Sequence, residues 1–164
     1  MKIKQENYLY PSVQKWLSQY LKDRYKRSKI EAYDTHKISL ARFLQNKGLQ
    51  KYFTELNSFD IKVDITGVIL SKREINLAFV ECKIKPITLR DVGQILGYSR
   101  VARPIYSFII SPNGISSPLS ILLQTFGRYD VLEYSGNKRI KIAKWSFDRD
   151  EIILDTLLPP GEHY

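Results

Sequence analysis

Two carboxylates and an amine are the residues of this sequence whose types and spacing suit chemistry. Asp64, Glu81 and Lys83 lie in two stretches, 59–70 and 75–84, that flank the polar segment Ser71-Lys72-Arg73-Glu74. If the chain turns about Lys72 and Arg73, residues whose numbers sum to 145 face each other, and Asp64 falls opposite Glu81. Directly opposed side chains on one sheet face have Cβ atoms about 4.5–5.5 Å apart, close enough for two acids to share one divalent cation. Alternation along a strand sets Lys83 on the face of Glu81 and turns the Cys82 side chain to the other. The preceding residues, Leu77, Ala78, Phe79 and Val80, are apolar, so these charges need partners or a metal to offset their loss of water. Asp60, four residues before Asp64 on the same face, is the competing acid.

The elements that must hold these residues follow from pattern. Pro11 opens an amphipathic helix in which Val13, Trp16, Leu17, Tyr20 and Leu21 recur at helical spacing. Residues 30–33 suggest a short strand and 39–49 a second helix. Alternation over 59–70 predicts a strand, and 75–84 an antiparallel partner; Lys72-Arg73 is not a favoured two-residue turn, which predicts a longer loop. Thr88 and Asp91 form a capping box for a helix through about Val101. The apolar run 104–111 then reads as a strand covered on both faces, parallel to the one before the helix. A helix capped by Ser117, with Pro118 first and Gly127 closing it, precedes a final hairpin of 129–134 and 139–145. The expected class is α/β, a central mixed sheet flanked by helices.

Asp64-Ile65-Thr66-Gly67, then Phe79-Val80-Glu81-Cys82-Lys83 after a hairpin, then a helix carrying Gln94 and Tyr98, resembles the PD-(D/E)XK nuclease superfamily. The likeness covers roughly residues 6–111, and the chain is similar to small archaeal Holliday-junction-resolvase-like nucleases. It implies a restriction-endonuclease-like core of αβββαβ order. It also implies that Asp64 and Glu81, with the Cys82 backbone carbonyl, bind Mg²⁺ or Mn²⁺, and that Lys83 orients or activates the attacking water. Gln94 and Tyr98 match a Q-x-x-x-Y helix element of some exonuclease branches; an exposed helix pair is the plainer reading of the same two residues. Glu6 is the only match to the acid near the family's first helix. Val63 stands where the family usually has proline.

Composition agrees with that chemistry. The 164 residues suit one domain, 1–164, and 43% hydrophobic with 26% charged residues excludes a disordered or collagen-like chain. A net charge of +9 makes an anionic polymer or surface the expected partner, nucleic acid first, and the resemblance implies that it is DNA. The cluster Lys22, Arg24, Lys26, Arg27 and Lys29 around Tyr25 is either a solvated helix end or a phosphate contact; Arg24, Lys26, Arg27 and Lys29 are the candidates. One cysteine and two histidines, His36 and His163, cannot build a Cys-based zinc site or a His cluster, so a metal must sit on oxygen ligands. No small-molecule cofactor is expected. No apolar run approaches the roughly twenty residues of a membrane helix, and the N-terminus carries no export signal, so a cytoplasmic location is expected. Ile152, Ile153, Leu154, Leu157 and Leu158 form an apolar set in the stretch 146–164, read as a tail that folds back or makes a homodimer. The function expected is a Mg²⁺-dependent DNA endonuclease, acting on branched or recombination intermediates; the alternative is a non-catalytic nucleic-acid-binding protein of the same fold.

Overall fold

The computed structural model describes residues 5–161; His163 and the first four residues lie outside them. Helix α1 (Tyr10–Arg24) buries Val13, Trp16, Leu17, Tyr20 and Leu21, the stripe that its spacing dictates, against one face of a six-stranded sheet. Strand β1 (Lys29–Asp34) pairs antiparallel with β2 (Ile65–Leu70), and β2 with β3 (Ile75–Cys82). Between β1 and β2 lies the short helix α2 (Leu40–Asn46), whose cap Ser39 accepts from the Arg42 N–H. Helix α3 (Leu89–Ala102) starts at the expected capping box, with both Thr88 and Asp91 engaged, and returns the chain to β4 (Tyr106–Ser111), parallel to β3.

The two sides of the sheet carry separate apolar cores. One joins α1 to Ile65, Ile69, Ala78, Val80, Cys82, Phe108 and Ile110; the other packs α2 and α3 on Val68, Leu77, Phe79 and Ile109. Gly67 allows the close approach of α1, because a Cβ there would stand 2.7 Å from Leu21 Cδ1 and 3.1 Å from Leu17 Cδ2. Burial on both faces explains the largely apolar sequence of β4, whose Ser107 hydroxyl is satisfied by Ser99.

Several expectations need correction. The strand predicted over 59–70 begins only at Ile65. Phe59 and Ile61 alternate with polar residues, but their carbonyls accept from the Ala41 and Leu40 N–H groups of α2 instead of from a strand. The β2–β3 connection is tight: the Ser71 N–H donates to Glu74 O, and Ser71 Oγ accepts from the Arg73 and Glu74 N–H groups, replacing the support a glycine turn would give. Ser116, not Ser117, caps α4 (Ser117–Ser120). The final hairpin is not formed as expected. Tyr129–Leu132 is a 3₁₀ turn, and β5 (Glu133–Ser135) and β6 (Lys138–Arg139) make a small separate ribbon. Strand β7 (Lys141–Ser146) instead joins the main sheet parallel to β4.

Residues expected to form a tail become the sixth strand, β8 (Glu151–Leu158), antiparallel to β7. Ile152, Leu157 and Leu158 are buried in the chain's own core, while Leu154 is 54% exposed. The sheet order is β1-β2-β3-β4-β7-β8. Gln14 Nε2 donates to Ala32 O on the edge strand β1, and between β7 and β8 the Lys144 N–H donates to Thr156 Oγ1 where the register shifts. Among the described residues no helix is long and apolar enough to cross a membrane.

Candidate functional site: a buried acid pair at the end of the sheet

The β2–β3 ladder ends at Ile65 opposite Val80, and the same register carried one step further sets Asp64 against Glu81. Strand β3 continues along β4 as far as Cys82 opposite Ile110. Past the end of β2, the Cys82 N–H donates to Asp64 Oδ2 at 2.9 Å, so a side chain takes the place of a ladder partner. Tyr10, the first residue of α1, donates its hydroxyl to Asp64 Oδ1 at 2.9 Å. One carboxylate thus ties α1, the start of β2 and the end of β3 together. Burial raises the Asp64 pKa, and the Cys82 N–H, the Tyr10 hydroxyl, Lys83 and His36 offset part of that rise.

Glu81 is 4% exposed. Lys83 Nζ donates to its Oε1 at 3.2 Å, while Oε2 is buried with no hydrogen-bond partner. Burial, helped by the Asp64 charge and opposed by Lys83, pushes the Glu81 carboxyl up to about 8. For Lys83, burial works against the charged form, but the carboxylates of Glu81 and Glu6 outweigh it and the net shift is upward. Glu6 Oε1 lies 3.9 Å from Lys83 Nζ, in a 3₁₀ turn (Glu6–Tyr8) just before α1. Burial raises the Glu6 carboxyl, against the pull of Lys83. An open cleft of about 610 Å³ adjoins the cluster, lined by Glu6, Lys83, Lys85, Thr88 and Asp91 among others.

The structure therefore brings Asp64, Glu81, Lys83 and Glu6 together. Cys82 contributes backbone; its thiol, raised far above its ordinary pKa by burial, faces the α1 core. Gln94 donates to the Tyr98 hydroxyl at 3.2 Å on the outer side of α3, and neither is a hydrogen-bond partner of the acids or Lys83. The basic candidates sit at the opposite end of the sheet. Arg24 lies over the Tyr20 ring, Lys29 pairs with Glu31 at 2.9 Å, and Lys26 and Arg27 are in the turn between α1 and β1. Among the described residues no group of three or more His, Cys, Asp or Glu side chains is placed to hold a metal ion.

Sequence reasoning missed Tyr10, whose signal, an aromatic residue at the N-terminus of a helix, is the same as that of a core residue. It also missed Thr35, which donates to Val63 O at 2.6 Å, meets Thr66 Oγ1 at 2.8 Å and, through its N–H, anchors Asp64 O at 2.9 Å. His36 pairs with Asp34 and lies against Tyr10, ring centroids 4.8 Å apart. No protein-family model, no curated protein and no solved structure matches this chain.

Proposed function

We propose that this protein is a divalent-metal-dependent DNA endonuclease of restriction-endonuclease-like fold, hydrolysing phosphodiester bonds at Asp64, Glu81 and Lys83. The observation that carries this reading is the buried acid pair with one uncommitted oxygen, Glu81 Oε2, beside a lysine at an open cleft of a strongly basic chain. A buried carboxylate oxygen without a donor costs free energy in a structural role. The residues fit Mg²⁺ or Mn²⁺: the donors are hard oxygens, and Mg²⁺ characteristically takes one or two protein carboxylates and completes its shell with water and substrate phosphate. Asp64 and Glu81 would hold the ion, with Glu6 and the Cys82 carbonyl as further oxygen donors. When bound, it would supply charge neutralisation at the phosphate and acidify a water.

The chain's own groups have distinct tasks in this reading. Tyr10 and the Cys82 N–H fix the Asp64 carboxylate, Lys83, whose charged form Glu81 and Glu6 favour, would orient the attacking water and stabilise the negative charge that develops at the phosphate, and Lys85 at the cleft would meet phosphate. DNA is the proposed partner. A homodimer is proposed because cutting both strands of a duplex or branched substrate needs two such centres; the C-terminal apolar residues no longer argue for it.

The alternative, a nucleic-acid-binding protein without turnover, is favoured by the engagement of both Asp64 oxygens, one by the Tyr10 hydroxyl and one by the Cys82 N–H. A cleavage assay with Mg²⁺ or Mn²⁺ on branched and linear DNAs separates the two. Cleavage that disappears in Asp64→Asn and Glu81→Gln is expected; binding without cleavage on every substrate refutes the enzyme.

A further inference from the structure

At the end of the sheet away from the acid pair, two segments far apart in sequence bring positive charge to one cleft. It has a volume of about 810 Å³ and is lined by Arg27 and Ser28 from the α1–β1 turn and by Ser71, Lys72, Arg73 and Glu74 from the β2–β3 hairpin. Lys26 is beside Arg27 in the same exposed turn. The side chains of Lys26, Arg27, Lys72 and Arg73 have no hydrogen-bond or ion-pair partner among the described residues, whereas Glu74, the cleft's one acid, accepts from Asn76 Nδ2 at 3.2 Å. Basic residues that complement the carbonyl end of α1 are already present in Lys22 and Arg24. The hairpin tip is more telling: Lys-Arg is a poor tight-turn pair, and it is held in place by the Ser71 hydroxyl. Local folding therefore does not account for three exposed cations lining one cleft, with a fourth, Lys26, next to Arg27 in the same turn.

We propose that this cleft is a second nucleic-acid contact, taking the phosphate backbone of the same DNA that reaches the acid pair. The identity of the polymer rests on the nuclease reading; the convergence of charge does not. Seven residue steps of about 3.3 Å along β2 separate Asp64 from Ser71, and fourteen of about 1.5 Å separate Tyr10 from Arg24, so the two regions lie roughly 20 Å apart. At about 3.4 Å per base pair that is roughly six base pairs of duplex from the acid pair to the cleft. Lysine, arginine and serine at such a place contact backbone and carry no base preference.

The test is binding by the full chain in EDTA, so that the absence of cleavage leaves the result readable. Anisotropy with a 24-base-pair duplex from 50 to 200 mM salt is compared for the unaltered protein, Lys26→Ala/Arg27→Ala, Lys72→Ala/Arg73→Ala, and the control Lys138→Ala/Arg139→Ala. Each cleft pair should flatten the slope of log affinity against log salt by about 1.8, roughly 12-fold less salt sensitivity over that range, and the control should not. An unchanged slope in both cleft variants, an equal change in the control, no binding of DNA, or capture by phosphatidylserine vesicles without DNA binding overturns the proposal. Changed slopes with no cleavage in Mg²⁺ leave this contact standing and refute only the nuclease.

Discussion

Glu81→Gln should remove a steep fall of stability with pH. In the folded chain the Glu81 carboxyl titrates at about 8, against an ordinary value of 4.5, because burial disfavours its charge. Between these values the folded state keeps a proton that the unfolded chain has lost. Stability from this group is therefore complete below the unfolded value and is lost as pH rises through the folded one. The slope approaches 1.4 kcal/mol per pH unit, so stability should fall by about 3 kcal/mol between about pH 5.5 and about pH 8. For a domain of this size that corresponds to a Tm lower by about 6–12 °C. Glutamine keeps the volume and does not titrate there, and the raised carboxyls of Asp64 and Glu6 remain in both proteins and largely cancel. Urea or thermal denaturation in EDTA across that range gives the difference curve. At the alkaline end, Mg²⁺ should restore stability to the unaltered chain and not to the variant, since a ligand bound only by the folded state stabilises it. Parallel pH curves for the two proteins would refute the reasoning.

Other changes test the neighbours of Glu81. Lys83→Ala should cut the cleavage rate at least 100-fold with DNA affinity nearly kept, as for a group acting in the transition state; single-turnover kinetics separate this from a loss confined to binding. Tyr10→Phe removes the hydroxyl that holds Asp64 Oδ1 and should cost about 1–2 kcal/mol in urea denaturation, with fold and sheet content unchanged by circular dichroism. Gly67→Ala should cost about 1 kcal/mol or more in the same assay, because the Leu21 side chain must move from a fully buried position. A chain ending at Arg149 should fail to fold cooperatively, since it deletes β8 and uncovers Trp145; a well-folded truncation seen by calorimetry would contradict the placement of β8.

The site was legible where its determinants are local. The facing of Asp64 and Glu81 follows from hairpin arithmetic, and the observed register, Ile65 with Val80 through Leu70 with Ile75, is the one that the turn at Lys72-Arg73 dictates. The capping box and the apolar run of β4 likewise announce themselves within a few residues. What was not legible depends on partners distant in sequence. Nothing in the pattern of 141–146 says that its neighbour is Phe108–Ser111 and not the preceding ribbon. Residues 59–63 alternate as a strand does, and only the nearby amide groups of α2 divert their carbonyls. Tyr10 reads as core until its hydroxyl is seen to reach a residue 54 positions away. The basic cluster was recognised as a group, but its distance from the acids is set by the lengths of α1 and β2, which a list of charges does not contain.

The two outer strands of the sheet, β1 and β8, also bear on what the molecule does in company. An uncovered strand edge is a template on which further chains can add without limit. Here Gln14 occupies a carbonyl of β1, and the register shift at Thr156 breaks the regular spacing of β8, beside the exposed acids Asp150, Glu151 and Asp155. A covered carbonyl on β1, and a bulge with a row of charge on β8, disfavour growth by strand addition. A second copy would then dock more readily through helices or loops, giving an assembly that stops at a defined number.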